Sequence, residues 1–158
     1  MNTSNGSPLD LYLELLKRTL TYSLWDENES PLGQYGGGRA FRMFGGPLIV
    51  RLLRQFHLKL VREIEVDRSK RELGEDWPLK AHTMIGMKRL DNIQACACDV
   101  IRNSVPGDFI ETGVWRGGAS IFMEGILKAY DETAKRRLWV ADSFEGLPAN
   151  DPTRYPKD

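Results

Sequence analysis

Residues 107–120, GDFIETGVWRGGAS, decide the fold. Phe109 and Ile110 read as a short buried strand that delivers Glu111 at its carboxyl end. Gly113, Gly117 and Gly118 then break the chain into a turn. A helix starts at Ala119-Ser120, with Ile121, Phe122, Ile126, Leu127 and Tyr130 as its apolar face. A second strand follows at Arg137–Ala141 and ends on Asp142. Strand, helix and strand with an acid on each strand tip form the first unit of a doubly wound α/β sheet. Ligands of such sheets bind beyond the carboxyl ends of the strands. Glycine lets a ligand approach the backbone where a Cβ would collide. The helix start offers unpaired N–H groups and a positive dipole end.

The turn narrows the choice between a dinucleotide, a nucleoside triphosphate and S-adenosylmethionine. The dinucleotide fingerprint is G-x-G-x-x-G. Here the run is Gly113-Val114-Trp115-Arg116-Gly117-Gly118, which lacks the second glycine. Trp115 and Arg116 are too bulky for a pyrophosphate cradle. Glu111 sits poorly beside a pyrophosphate and well beside the cationic amino-acid end of S-adenosylmethionine. Asp142 stands where a carboxylate can accept from both hydroxyls of a ribose. A tight turn carrying a surface acid would account for the same pattern with no ligand at all.

Composition bounds the class. The chain has 158 residues, 41% hydrophobic and 28% charged, which suits a globular domain. Lys+Arg and Asp+Glu both total 22. That balance offers no general attraction to nucleic acid or to an anionic membrane. No apolar run approaches the roughly 18 residues of a membrane helix. Cys96 and Cys98 are the two cysteines. Two residues apart on a helix, they face different ways and read as packing residues of a protein in a reducing cytoplasm.

Upstream, Ser7, Pro8 and Asp10 form a helix start, and Leu9, Leu13, Leu16 and Leu20 recur at helical spacing. The first helix is expected from about Pro8 to Leu24. Residues 26–47 read as a long loop. Its Gly36–Gly38 run lacks the Gly-Lys-Ser/Thr ending of a phosphate loop. Residues 48–74 read as one long amphipathic helix or two, with Leu48, Leu52, Phe56 and Leu60 every four residues and Gly74 as the stop. His57 reads as structural or exposed, and the charge run 62–72 as a solvated face. A loop over 76–88 leads to a helix carrying Leu90, Ile93, Ala97, Val100 and Ile101 on one side. Two parts are expected: N-terminal helices with a Gly-rich loop over 1–80, and a cofactor-binding part over 81–158.

Three segments carry a resemblance: AHTMIGMKRLDNIQ (81–94), GDFIETGVWRGGAS (107–120) and WVADSFEGLP (139–148). They resemble the macrocin O-methyltransferase family, TylF/MycF. The resemblance implies a class I, Rossmann-like methyltransferase fold with an N-terminal helical segment, present as its first half. It implies S-adenosylmethionine and Mg²⁺, a sugar hydroxyl of a glycosylated metabolite as acceptor, and a place in antibiotic biosynthesis.

By position, Thr83 and Met84 would belong to the loop that closes over the cofactor. Glu111, Thr112, Gly113, Val114 and Trp115 would line its amino-acid and ribose portions. Ser120 would sit at the helix start, and Asp142 would hold the ribose hydroxyls with Ser143 and Phe144 beside it. His82 adjoins the cofactor loop, and no catalytic base is assigned. The family's metal-binding aspartates lie on later strands, so the chain is expected to stop before the metal site. The apolar N-terminal helices suggest a homodimer. Two other readings stay open: an NAD- or nucleotide-sugar-binding enzyme, and a non-catalytic interaction module.

Overall fold

The structure, a computed structural model, describes residues 6–25, 27–32, 43 and 45–146. In chain order its elements are α1 (Pro8–Leu20), β1 (Glu29–Pro31), α2 (Gly46–Gln55), β2 (Val61–Glu63), α3 (Arg68–Leu73), α4 (Gly86–Arg102), β3 (Phe109–Thr112), α5 (Gly118–Ala129) and β4 (Leu138–Ala141). They fall into two compact units, one of Met1–Leu16 with Leu90–Asp158 and one of Lys17–Arg89.

α1 starts as its sequence dictates. The Asp10 N–H donates to Ser7 Oγ at 3.2 Å, and the Ser7 N–H donates back to the Asp10 carboxylate at 3.0 Å. This reciprocal cap satisfies two donors that the helix cannot. The helix ends at Leu20, four residues short of the expected Leu24. Tyr22 is left-handed, with φ 59°, and the chain turns there.

In the first unit, β3 and β4 pair in parallel, with Phe109 opposite Leu138 and Thr112 opposite Ala141. Asp108 pins that register. Its carboxylate accepts from the Arg137 N–H at 3.0 Å and from the Trp139 indole N–H at 2.8 Å. Those two bonds hold its pKa below the usual carboxylate value. The buried apolar side chains of α5 are Ala119, Phe122, Ile126 and Leu127, with Gly118, Ser120 and Gly125 buried beside them. Leu13, Ala97 and Cys98 are buried in the same unit. At Gly125 a Cβ would lie 2.5 Å from Leu16 Cδ2, so α1 and α5 touch where only a hydrogen fits.

Two apolar residues are not where the sequence put them. Ile121 is 47% exposed, because the buried face of α5 runs through 119, 122 and 126 and leaves 121 on its flank. Ile110 is 61% exposed, because alternation along β3 sends it to the face opposite Phe109 and Glu111. Cys96 is exposed and Cys98 buried, as their spacing implies. The Cys98 thiol donates to the Tyr130 hydroxyl at 3.2 Å.

In the second unit, residues 48–74 hold parts of two helices, one of the two expected alternatives, but with a strand between them. α2 stops at Gln55, and His57 follows in the left-handed region with φ 57°. β2 then pairs antiparallel with β1, Glu29 opposite Glu63 and Pro31 opposite Val61. The four-residue repeat does not mark a buried face either, since Leu48, Leu52 and Phe56 are all exposed. Asp67 caps α3 through the Ser69 and Lys70 N–H groups, and Gly74 ends it. The Gly36–Gly38 run lies outside the described residues.

The charge run is not all solvated. Arg71 is buried, its guanidinium bonded to Glu27 and Asp76. Burial works against its charge, but the hydrogen bonds to Asp76 and Glu27 outweigh it and raise the pKa. At the end of α3 the backbone meets itself. A Cβ on Gly74 would lie 2.3 Å from the Ile85 carbonyl oxygen, and one on Gly86 would lie 2.4 Å from the Gly74 nitrogen. Among the described residues no helix is long and apolar enough to cross a membrane.

Candidate functional site

The site lies at the carboxyl ends of β3 and β4, in the first unit. The ladder runs one residue past the strands, where the Gly113 N–H donates to the Ala141 carbonyl at 2.9 Å. Gly113 and Gly117 are both left-handed, with φ 82° and 76°. Nothing lies within 4 Å of a Cβ built at either. These glycines therefore serve a backbone shape and border open space, which is what a ligand against the main chain needs. Gly117 is the N-cap of α5 and, among the described residues, makes no side-chain cap there.

The two acids are held by different partners. Glu111 lies within β3 rather than beyond it, and its Oε2 accepts from the Ser120 hydroxyl on α5. That bond ties the strand end to the helix start. Asp142 follows β4. Its Oδ2 accepts from the Val114 N–H and its Oδ1 from the Phe144 N–H at 2.9 Å. The Phe144 and then the Val114 N–H hold its carboxyl below the usual carboxylate range. Asp142 is thus an anion at neutral pH. Oδ2, with one donor, has a further lone pair to offer.

Around Asp142, Ser143 Oγ lies 3.4 Å from Oδ1 and accepts from the Glu145 N–H at 3.3 Å. Phe144 is left-handed and exposed. Glu111, Gly113, Val114, Ser120, Asp142, Ser143 and Phe144 are thereby joined through bonds across one turn and two strand ends. Thr112 is the exposed last residue of β3. Trp115 follows in the turn with the Arg116 guanidinium over its ring, 4.0 Å from the centroid. Arg116 was not among the residues expected from sequence at the site. The adjacent Trp-Arg pair was the available signal, since a guanidinium stacks readily on an indole.

Thr83, Met84 and His82 belong to the second unit. The His82 and Thr83 N–H groups both donate to the Leu20 carbonyl, at 2.8 and 3.2 Å. Thr83 is buried, and its hydroxyl accepts from the Ile85 N–H at 3.4 Å. Met84 is half-buried and His82 exposed. Among the described residues no group of three or more His, Cys, Asp or Glu side chains is placed to hold a metal ion.

A family model for macrocin O-methyltransferase (TylF) matches residues 9–158. The chain is 45% identical over 139 residues to a tetracenomycin 4′-O-methyltransferase of Streptomyces olivaceus, covering 88% of this chain and 42% of that protein; the latter's full name specifies 8-demethyl-8-(2,3-dimethoxy-alpha-L-rhamnosyl)-tetracenomycin-C. It is 42% identical over 158 residues to the mycinamicin III 3″-O-methyltransferase of Micromonospora griseorubida, covering all of this chain and 51% of that one. The solved structure of the O-methyltransferase NovP matches with a TM-score of 0.62 at 41% identity, over 89% of this chain and 44% of that one. The chain thus spans about half the length of these relatives, and its fold is that of a class I methyltransferase.

Proposed function

Because the chain belongs to the macrocin O-methyltransferase (TylF) family, we propose that it binds S-adenosylmethionine and serves O-methyl transfer to a sugar hydroxyl of a glycosylated natural product. The observation that carries this reading is the paired strand ends. An acid stands on each, Glu111 and Asp142, on either side of a left-handed glycine turn with open space against its backbone. When bound, S-adenosylmethionine supplies a methyl group activated by its sulfonium.

The chain's own residues do the holding. Asp142, anionic and fixed by two N–H groups, accepts from the ribose hydroxyls. Glu111, steadied by Ser120, faces the cationic amino-acid end. Gly113 and Gly117 leave room for the cofactor beside the main chain. Thr112, Val114, Trp115, Ser143 and Phe144 complete its walls. For Thr83 and Met84 the support is the resemblance of 81–94 to the family. The protein's share of such catalysis is positioning and electrostatic complementarity.

The family resemblance also implies Mg²⁺. The described residues form no cluster for it, so no step is assigned to a metal in this chain. The free thiols Cys96 and Cys98 suit a reducing cytoplasm. The exposed Leu48, Leu52 and Phe56 support self-association into a homodimer.

Calorimetry tests the reading. S-adenosylhomocysteine should bind, and Asp142→Ala should weaken it, with NAD showing no heat. Tighter binding of NAD than of S-adenosylhomocysteine would overturn it in favour of an oxidoreductase.

A further inference from the structure

Arg71 is the one arginine of α3's last turn that is buried, at 8% exposure. An arginine presents five N–H donors in a planar fork. Here the fork reaches three separate segments. Nη1 donates to the Thr21 carbonyl at 3.2 Å, just after α1. Nη2 donates to Glu27 Oε2 at 2.7 Å, and Nε donates to Asp76 Oδ2.

Glu27, only 2% exposed, extends the chain of bonds. Its other oxygen accepts from the Lys80 N–H. Arg71 is therefore linked to residues 76 and 80 of the segment that leads into 81–85. Residues 82 and 83 are held by the Leu20 carbonyl, next to the Thr21 carbonyl that Arg71 takes. At the far end, Gly86 packs against the backbone of the same helix, where a Cβ would lie 2.7 Å from the Arg71 carbonyl oxygen.

Stability alone does not account for such a cluster. Burying charge is costly, and apolar replacements of buried ion clusters are often neutral or better. One carboxylate oxygen, Asp76 Oδ1, is buried without a hydrogen-bond partner among the described residues. What an apolar replacement cannot do is direct bonds to a particular backbone N–H. Directed bonds fix the path of a loop.

We propose that Arg71 is a positioning residue for the 81–85 segment, its guanidinium acting through Glu27 and Asp76 to fix the path of the backbone that carries Thr83 and Met84. The inference rests on the cofactor role proposed for Thr83 and Met84.

Amide hydrogen exchange of the 158-residue chain, with calorimetry of S-adenosylhomocysteine, tests it. Arg71→Lys keeps one charge but cannot span all three acceptors. The His82 and Thr83 amides should then exchange about tenfold faster and the affinity fall by about tenfold, while amides within α4 keep their protection. Should that variant fail to fold, a triple variant decides: Arg71→Met, Glu27→Leu and Asp76→Leu remove the buried charges together. It should fold with an undiminished Tm, yet lose protection at 82–83 and lose affinity. A folded triple variant that keeps both would overturn the proposal. If the unaltered chain binds no S-adenosylhomocysteine, the cofactor reading fails; exchange at His82 and Thr83 then decides by itself whether Arg71 orders the segment.

Discussion

The carboxylate of Asp142, just past β4, accepts the backbone N–H of Val114, just past β3. Two residues 28 apart in sequence thus close the turn over the ends of both strands. The acid has two tasks at once: it shapes the glycine turn, and it presents a fixed negative charge beside it.

Removing that acid should therefore affect both. Hydrogen bonds to an ionised group are among the stronger ones a site can offer. Asp142→Ala should weaken S-adenosylhomocysteine binding by about tenfold to a hundredfold. The Val114 and Phe144 amides should lose protection even without ligand. Calorimetry and hydrogen exchange measure the two effects, and unchanged affinity would remove Asp142 from the site.

Acid should act on the same bonds. The Asp142 pKa is lowered in the folded chain by the Phe144 and Val114 N–H groups. A depressed pKa means that the bonds stabilise the fold above the unfolded value, about 3.9. The stabilisation is lost as pH falls through the lower folded value. Amide protection at Val114 should hold steady from neutral pH down to about pH 4 and fall only below that. An NMR titration in which Val114 responds between pH 5 and 7, on the order of a histidine's range, would contradict this assignment.

Gly113→Val should separate shape from space. The position has φ 82°, and a Cβ meets nothing within 4 Å. A β-branched residue there bears at least about 1–2 kcal/mol of left-handed strain, and its Cβ meets no neighbour in the free protein. Far-ultraviolet circular dichroism should stay nearly unchanged, while cofactor binding is abolished because the side chain occupies the open space. A variant with unaltered affinity would mean that the turn faces no ligand.

Gly86→Ala should behave in the opposite way. Its Cβ would lie 2.4 Å from the Gly74 nitrogen, and its φ is 76°. The cost should exceed the roughly 1–2 kcal/mol of the left-handed conformation, because backbone must also move. Thermal melting should show a clear loss of Tm, larger than for Gly113→Ala.

Much of this was legible locally. The Ser7 and Asp10 cap, the strand at 109–112, its glycine turn and the helix after it are all set by neighbours within a few residues. Residues 48–74 were not. β2 exists because β1 lies beside it, and no periodicity in 61–63 announces a partner at 29–31. Arg71 looked solvated because the charge run around it is solvated. Its partner Glu27 lies 44 residues away, a distance that spacing rules cannot bridge. At the site, the positions of Glu111 and Asp142 could be read from the strand ends. The Ser120 and Val114 bonds that orient them needed the tertiary fold.

The contact between Gly74 and Gly86 has an evolutionary consequence. Because the two ends of the intervening stretch already touch, residues 75–85 form a nearly closed ring on the backbone of α3 and α4. Lengthening such a ring costs little, about 0.6 kcal/mol for a doubling of its length. Insertions or deletions inside it need not shift either helix. The bonds at Asp76, Lys80, His82 and Thr83 confine such changes to the residues between them, so the length of the ring can drift only where no bond ties it to another segment.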